Sequence, residues 1–166
     1  MPSRAGTTNS IRRARAFTLV EILIVVVILG VLAAIVIPQF ADATRQSSKS
    51  VFVANLRHYT EAAQLYMFDT GEFPPDSSSG QLPTGFDDYI DADQWAGGTP
   101  IGGVWDIEHQ DSGGVESALG VHFDGTGETR DDIYMREIDE MIDDGDLNTG
   151  RFRKLEDGRY YNIIRE

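Results

Sequence analysis

The chain has 166 residues, a formal net charge of −13 and no cysteine. This length suits one domain with an appendage, and the lack of cysteine excludes disulfides, zinc–thiolate sites and a thiol nucleophile. The acidity argues against binding of nucleic acid, whose phosphates require clustered Lys and Arg. The charge is also segregated, because residues 1–16 hold four Arg and no acid, whereas residues 69–146 hold 21 acids and two Arg. A basic start, an apolar run and an acidic body are typical of a membrane-inserted, exported protein.

The apolar run is long enough to cross a membrane. Counted from Phe17 to Ile37 it covers 21 residues, which as a helix would measure about 32 Å, against about 30 Å for a bilayer's hydrocarbon core. The preceding Arg cluster predicts a cytoplasmic N-terminus and an exported chain after Pro38. Two alternatives are a buried core helix and a cleaved secretory signal, for which Ala41–Ala43 supplies a small-x-small site.

The helical pattern continues beyond Pro38. Apolar residues recur at spacings of three and four, with polar residues between them: Val51/Phe52, Leu56, Tyr59, Ala63 and Tyr66. This spacing predicts an amphipathic helix, which a cleaved signal has no reason to join. Pro38 predicts a kink or local melting. Gly71, followed by two prolines, predicts that the helix ends near Phe68.

Glu21 lies just inside the apolar segment, where a carboxylate is costly and usually functional. The stretch Arg13–Glu21, with the apolar run after it, resembles the N-terminal processing signal of type IV pilins and type II secretion pseudopilins. The resemblance implies that prepilin peptidase cleaves between Ala16 and Phe17 and N-methylates the new amine. Ala16 is a departure, because the family usually has Gly before the cut.

The resemblance also implies an assembly role for Glu21 and Pro38. In a packed filament, Glu21 would pair with the Phe17 amine of a neighbouring subunit and set the axial register. The chain then divides into a removable basic leader (1–16), a transmembrane and assembly helix (17–41) and an exported pilin-like domain (42–166).

The exported domain is predicted to be α+β, with the long helix packed on a small antiparallel sheet. After the long helix comes a long loop over 74–103, in which Trp95 is predicted to be a packing residue. Two strands follow, over 103–109 and 115–123, joined by a turn at 111–114. A short helix over 130–144, opened by Thr129, leads to a terminal hairpin of strands 151–155 and 159–164. The terminal hairpin is the basic part of this domain, and it indicates either a solvated strand face or a seam with an acidic neighbour.

Neither catalytic nor nucleotide-binding motifs occur, so we predict that the protein is not an enzyme. His109 and His122 are expected near each other across the first hairpin, as ordinary strand residues. Two oxygen-rich loops, and the use of calcium by major pseudopilins, make calcium a hypothesis. The candidate ligands are Asp124, Glu128, Asp131, Asp144, Asp146 and Asn148.

The sequence therefore predicts a structural subunit of a type II secretion pseudopilus or type IV pilus-like filament, most like a major pseudopilin. Its expected location is the inner membrane, single-pass, with the C-terminal domain periplasmic. The expected partners are further copies of the chain in a helical homopolymer, other pseudopilins, prepilin peptidase, and an assembly platform with a cytoplasmic ATPase. The alternative is an exported binding or enzymatic domain that uses the N-terminal helix as a tether.

Overall fold

The computed structural model describes residues 17–109 and 114–166 of the chain. Residues 1–16, with Ala16 and the basic cluster, lie outside the described residues, as does most of the turn predicted at 111–114. The chain divides after Asp42 into two compact units. All side chains from residue 17 to residue 42 are exposed, whereas the second unit contains a buried core.

The first element is the helix α1, Leu19–Thr70. Pro38 lies inside this helix without interrupting it, so of the two predicted effects local melting is wrong and a kink stays a prediction. A proline removes one helical hydrogen bond, a loss that is small beside the many other bonds of a helix of 52 residues. The helix ends where predicted, within two residues. Gly71 has a φ of 88° and donates its N–H to the Met67 carbonyl at 2.9 Å.

The C-terminal half of α1 supplies one wall of the core. Phe52, Leu56, Tyr59 and Ala63 are each at most 2% exposed, as expected from their spacing of three and four. The Phe52 ring stacks on Trp105, with ring centroids 5.3 Å apart. The predicted packing of the amphipathic half of the helix against the sheet is therefore confirmed.

The described residues form one antiparallel sheet of four strands, in the order β1-β2-β4-β3. The strands are β1 Val104–His109, β2 Ser117–His122, β3 Phe152–Glu156 and β4 Arg159–Arg165. At the centre of the sheet, β2 pairs with β4, and Gly120 is required there. A Cβ at Gly120 would lie 1.9 Å from the Tyr160 carbonyl oxygen. The α+β class and all four predicted strands are confirmed.

One expectation about this sheet is wrong. His109 and His122 do not meet across the first hairpin, because β1 pairs with β2 in a register that places His109 opposite Ser117 and His122 opposite Val104. The two histidines thus stand at opposite ends of the paired strands. The sequence pattern predicted both strands but left the register open, and register decides which side chains become neighbours.

The loop before the sheet contains more regular structure than predicted. A short 3₁₀ helix, Phe86–Asp88, is followed by α2, Ala92–Ala96. The Asp91 carboxylate caps α2 by accepting hydrogen bonds from two backbone N–H groups. This turn places Trp95 in the core, where it is 1% exposed, so its predicted packing role is confirmed.

The remaining helix, α3, spans Asp132–Ile142. Its N-cap is Asp131, whose side chain accepts a hydrogen bond from the Tyr134 N–H at 2.9 Å. The predicted cap at Thr129 is therefore wrong by two residues. Asp is at least as good an N-cap as Thr, and Asp131 stands nearer to the apolar residues that face the core.

Candidate functional site

The first described residues contain the predicted processing and assembly site. Phe17 is 81% exposed, and α1 begins two residues later. Thr18 and Glu21 form a capping box: the N–H and the hydroxyl of Thr18 each donate to Glu21 Oε2 at 2.8 Å, and the Glu21 N–H donates to Thr18 Oγ1 at 3.2 Å. The sequence analysis missed this arrangement, although Thr-x-x-Glu before an apolar run is its usual signal.

The capping box explains how a carboxylate is accommodated at this position. The Glu21 carboxylate accepts hydrogen bonds from Thr18 and lies at the positive end of the helix dipole. Both interactions hold the Glu21 side chain at the N-terminus of α1, one helical turn from Phe17. The site therefore combines a positioned anion with the residue that would carry a free amine after cleavage.

The helix that follows is apolar on every side. It is long and apolar enough to cross a membrane, and no residue in its most apolar 18-residue stretch is buried. A buried core helix is therefore excluded for this stretch. A signal sequence near the N-terminus would have the same length and composition, so helix geometry alone leaves that alternative open.

The six calcium candidates are not brought together as one site. Several of their oxygens have local roles: Asp124 accepts from Thr126, Asp131 caps α3, and Glu128 pairs with Arg130 at 2.7 Å. Asp144 accepts from Thr149 and Asp146 accepts from Asn148 at 2.8 to 2.9 Å. Calcium binding through these residues stays a prediction.

The basic terminal hairpin is paired within the chain. Arg153 pairs with Glu166 at 2.6 Å, Lys154 with Asp132 at 3.0 Å, and Arg165 with Glu116 at 2.9 Å. Arg159 pairs with Glu108. These intrachain partners favour the simpler of the two interpretations, a solvated strand face, over a seam with an acidic neighbour.

A buried polar network that the sequence analysis did not predict lies behind this hairpin. Asp106 is 3% exposed and accepts hydrogen bonds from the Tyr161 hydroxyl at 2.7 Å and the Ser79 hydroxyl at 3.1 Å. Burial raises the pKa of Asp106, and these hydrogen bonds together with the Arg159 charge offset the effect in part. The sequence gave no sign that Asp106 is buried, because its position between the apolar residues Trp105 and Ile107 is typical of a residue on the exposed face of a strand.

The same network tests the enzymatic alternative. Ser79 Oγ lies 2.7 Å from His122 Nδ1 beside a polar cleft of about 370 Å³. A hydroxyl has one proton, so when Ser79 donates it to Asp106, the His122 Nδ1 acts as the donor to the serine. In an activated serine the histidine accepts the hydroxyl proton and the carboxylate orients the histidine. This order is reversed here, and the arrangement fits a structural network.

The long apolar helix that begins near Glu21, followed along the chain by a helix-on-sheet domain, is the arrangement that the resemblance to type IV pilins and pseudopilins predicts. The comparisons support the same resemblance. Residues 11–37 match the family model for the prokaryotic N-terminal methylation motif, a segment that includes Ala16, Phe17 and Glu21. The match confirms the resemblance found in the sequence, and it favours a prepilin-type signal over an ordinary secretory one.

The chain is also homologous to type II secretion system core protein G and to type IV pilins. It is 38% identical to core protein G of Pseudomonas aeruginosa over 63 residues, which are 38% of this chain and 44% of that protein. It is 34% identical to the type IV wide pilus major component PilA4 of Thermus thermophilus over 62 residues, 37% of this chain and 47% of that protein. It is 31% identical to a fimbrial protein of Neisseria meningitidis over 70 residues, 42% of this chain and 41% of that protein.

The matches thus span less than half the length of each relative. No solved structure gives a significant match to the chain.

Proposed function

We propose that this protein is a structural subunit of a type II secretion pseudopilus or a type IV pilus-like filament. The observation that carries the proposal is Glu21. It is the one acidic residue of an otherwise uncharged apolar stretch with no buried side chain, it is held in a capping box, and it lies within a matched methylation motif. A simple membrane tether has no use for such a carboxylate.

Maturation is the first step of the proposed function. Prepilin peptidase removes residues 1–16 by cleavage between Ala16 and Phe17 and methylates the Phe17 amine. The motif match spans this bond, and Phe17 is exposed immediately before α1. The small side chain of Ala16 satisfies the steric requirement that Gly meets in most of the family.

Assembly is the second step. The new Phe17 amine of one subunit pairs with Glu21 of its neighbour, while the apolar helices exchange lipid contacts for contacts with one another. Such an exchange conserves apolar burial, so packing and the polar pair decide the geometry. A charged pair in this apolar setting also penalises any register that leaves one partner alone. Pro38, at the end of the apolar run, sets the local path of the helix.

The proposed location follows from charge. The four Arg of residues 1–16 hold the N-terminus in the cytoplasm, so the chain is a single-pass inner-membrane protein with its C-terminal domain in the periplasm before assembly. The partners are then further copies of this chain, other pseudopilins, prepilin peptidase and an inner-membrane platform driven by a cytoplasmic ATPase. The absence of cysteine from these 166 residues favours a pseudopilin over an adhesive pilin.

Mass spectrometry of the native N-terminus tests this proposal. We expect a chain that begins at Phe17 and carries one methyl group on its α-amine. A chain that begins at Thr44, after the small-x-small site, would instead indicate secretion and contradict the proposal. An intact N-terminus in cells that contain active prepilin peptidase would favour the tether. The matched control is Ala16→Gly, which should be processed at least as completely as the natural chain.

A further inference from the structure

Three basic side chains surround one aromatic ring in the second unit. The Nζ of Lys49 lies 4.5 Å from the centroid of the Tyr134 ring. The guanidinium carbons of Arg45 and Arg130 lie 4.9 Å and 4.8 Å from the same centroid. Residues 43–166 contain ten Lys and Arg against 25 acids, so this concentration of positive charge is the opposite of the domain's average. We call these three basic residues and the tyrosine the cation cluster.

Two acids pair with the cation cluster, and both are at the surface. Glu137 pairs with Arg45 at 3.5 Å and also with Lys49. Glu128 pairs with Arg130 at 2.7 Å. The side chains of Glu137 and Glu128 are 45% and 67% exposed. Ion pairs at such exposure contribute little to stability, so the two arginines can exchange these partners for an external anion at small cost.

A cleft of about 380 Å³ gives access to the cation cluster. It is lined by Arg45, Thr129, Arg130, Asp131 and Tyr134. Asp131 is the one acid among these lining residues, and its carboxylate is engaged as the N-cap of α3. Burial, followed by the charges of Arg45 and Arg130, lowers the pKa of Lys49, as expected where cations are crowded together. An anion bound in the cleft would relieve this repulsion.

An exposed apolar side chain lies next to the cation cluster. Ile133 is 67% exposed and precedes Tyr134 in the first turn of α3. It is also four residues before Glu137, and residues at this spacing are neighbours on a helix surface. Basic side chains beside an exposed apolar one are typical of surfaces that lie on anionic membranes, where the cations contact lipid phosphates and the apolar group enters the headgroup region.

The position of the cation cluster along the chain indicates which surface it meets. Ile37 ends the apolar run, and Arg45 follows it by eight residues of α1, which correspond to about 12 Å of helix. The headgroup region extends about 5–7 Å beyond the hydrocarbon core on each side, and a long arginine side chain can reach back toward it. Arg45 is therefore tethered within reach of lipid phosphates.

We propose that the cation cluster and Ile133 dock the second unit on the anionic phospholipid surface of the membrane that α1 crosses. Lipid phosphates then replace Glu137 and Glu128 as the partners of the two arginines, whose planar guanidinium groups bind two phosphate oxygens at once. Docking holds the subunit at the surface before it leaves the bilayer. The inference rests on the insertion of α1, which is part of the proposed function, but it does not depend on filament formation.

The absence of cysteine from the chain allows a test with a single label. Ile133→Cys in the full chain carries an environment-sensitive fluorophore and is reconstituted into vesicles of phosphatidylcholine and phosphatidylglycerol at a ratio of about 3:1. We expect a blue shift of the emission and quenching by brominated lipids, and neither effect in pure phosphatidylcholine. Salt at about 1 M, where the Debye length is about 3 Å, should reverse both effects. Equal quenching in the two kinds of vesicle, or none in either, would overturn the proposal.

Flotation of the same samples separates docking from insertion. A chain that floats with both kinds of vesicle but is quenched in neither contradicts docking alone. A chain that floats with neither contradicts the insertion of α1, on which the proposed function also depends. Leu65→Cys, at a position of α1 that is 53% exposed, carries the same label and should stay unquenched, because it lies 28 residues after Ile37.

Substitutions of single arginines locate the docking surface. Arg130→Gln removes a cation that is distant from α1 in the sequence, and it should lower the ratio of docked to undocked chains about fivefold. Arg45→Gln changes a half-exposed side chain, should fold normally and should have a similar effect. Arg130→Lys keeps the charge and should restore most of the docking. Arg136→Gln is the matched control, because it removes the same charge from an exposed position of α3 outside the cation cluster. Equal losses from Arg130→Gln and Arg136→Gln would show that net charge is responsible and overturn the assignment.

Two further conditions identify the partner. Inorganic phosphate added to the phosphatidylcholine vesicles should not shift the emission; a shift there would mean that a free anion fills the cleft without a membrane surface. Raising the ratio of protein to lipid should leave the quenching unchanged. A blue shift that grows with protein density and is not quenched by brominated lipid would indicate contact with a second copy of the chain and overturn the proposal.

Discussion

The two compact units of the chain treat their apolar residues in opposite ways. Every side chain from residue 17 to residue 42 is exposed, whereas Phe52, Trp95 and Trp105 in the second unit are at most 1% exposed. The difference begins within α1 itself, because the first buried residue of the helix is Lys49. The second unit buries its apolar side chains in its own core. The first unit has none of this burial, so its surface must be covered by lipid or by other chains.

The polar groups show the same contrast. In the first unit, Glu21 accepts hydrogen bonds from Thr18, three residues away. In the second unit, Asp106 is bonded to Tyr161, 55 residues away, and Lys49 to Glu137, 88 residues away. Long-range polar bonds specify the fold of the second unit. A local capping bond specifies nothing beyond the end of the helix, which leaves the Glu21 charge available for another subunit.

The largest expected effect separates assembly from folding. Glu21→Val should abolish filaments while cleavage, membrane insertion and the stability of the globular unit stay unchanged, because the carboxylate bonds to Thr18 and not to the core. Filaments are measured by shearing and electron microscopy, and stability by urea unfolding followed through tryptophan fluorescence. Normal filaments from Glu21→Val would contradict the pairing with Phe17.

Glu21→Gln is the matched variant for this experiment. Glutamine preserves the capping box but carries no charge. If pairing of the charge with the Phe17 amine directs assembly, Glu21→Gln should also fail to form filaments. Normal assembly of Glu21→Gln would show that the helix cap is sufficient and that the charge is dispensable.

The second prediction concerns a substitution that should destabilise the globular unit and leave processing of the N-terminus unchanged. Phe52→Ala removes a ring that stacks on Trp105 and meets Phe152 edge-on at 6.4 Å, so it should lower the free energy of unfolding by about 3–5 kcal/mol. Val51→Ala, at the adjacent and 46% exposed position, is the control and should change stability by roughly 0.5 kcal/mol or less. Both variants should be cleaved and inserted normally. Similar losses from the two substitutions would contradict the assigned core face.

The sequence predicted the elements of this fold well because each had a local signal. The spacing of Phe52, Leu56, Tyr59 and Ala63 predicted the core face of α1, and Asp157-Gly158 predicted the terminal hairpin. The strand order, with β4 between β2 and β3, has no such local signal. The register between β1 and β2 also has no local signal, and for that reason the expected proximity of His109 and His122 was wrong.

The candidate sites divide along the same line. Phe17 and Glu21 were predicted because their signal is contiguous in the chain. The capping role of Thr18 could have been predicted from the same segment, which contains the Thr-x-x-Glu motif. The burial of Asp106 and Asp139 was not predictable, because each results from contacts between distant segments. A charged residue in a strand or helix is usually exposed, and only the tertiary structure shows which ones are exceptions.

The smallest expected effect is the pH dependence of stability that comes from the buried Asp106 in the second unit. Burial raises the pKa of Asp106, so the folded state binds a proton that the unfolded state has released. Stability from this group is therefore greatest at low pH and falls as pH rises through the folded pKa. In Asp106→Asn this loss should disappear, so the stability of the natural chain relative to the variant should decrease as pH rises above the unfolded pKa of about 4. Urea midpoints in EDTA at constant ionic strength measure it, and the change should be well below that for Phe52→Ala.

Asp132 provides a control of opposite sign. Hydrogen bonds from the Tyr160 hydroxyl and from Lys154 lower the pKa of Asp132, so its contribution is present above the unfolded pKa and is lost as pH falls. The stability of the natural chain relative to Asp132→Asn should therefore increase with pH. Because the two carboxylates lie in one domain and share its unfolded state, opposite slopes must come from their environments. Parallel slopes would mean that net charge, rather than burial and pairing, sets the pH dependence of this domain.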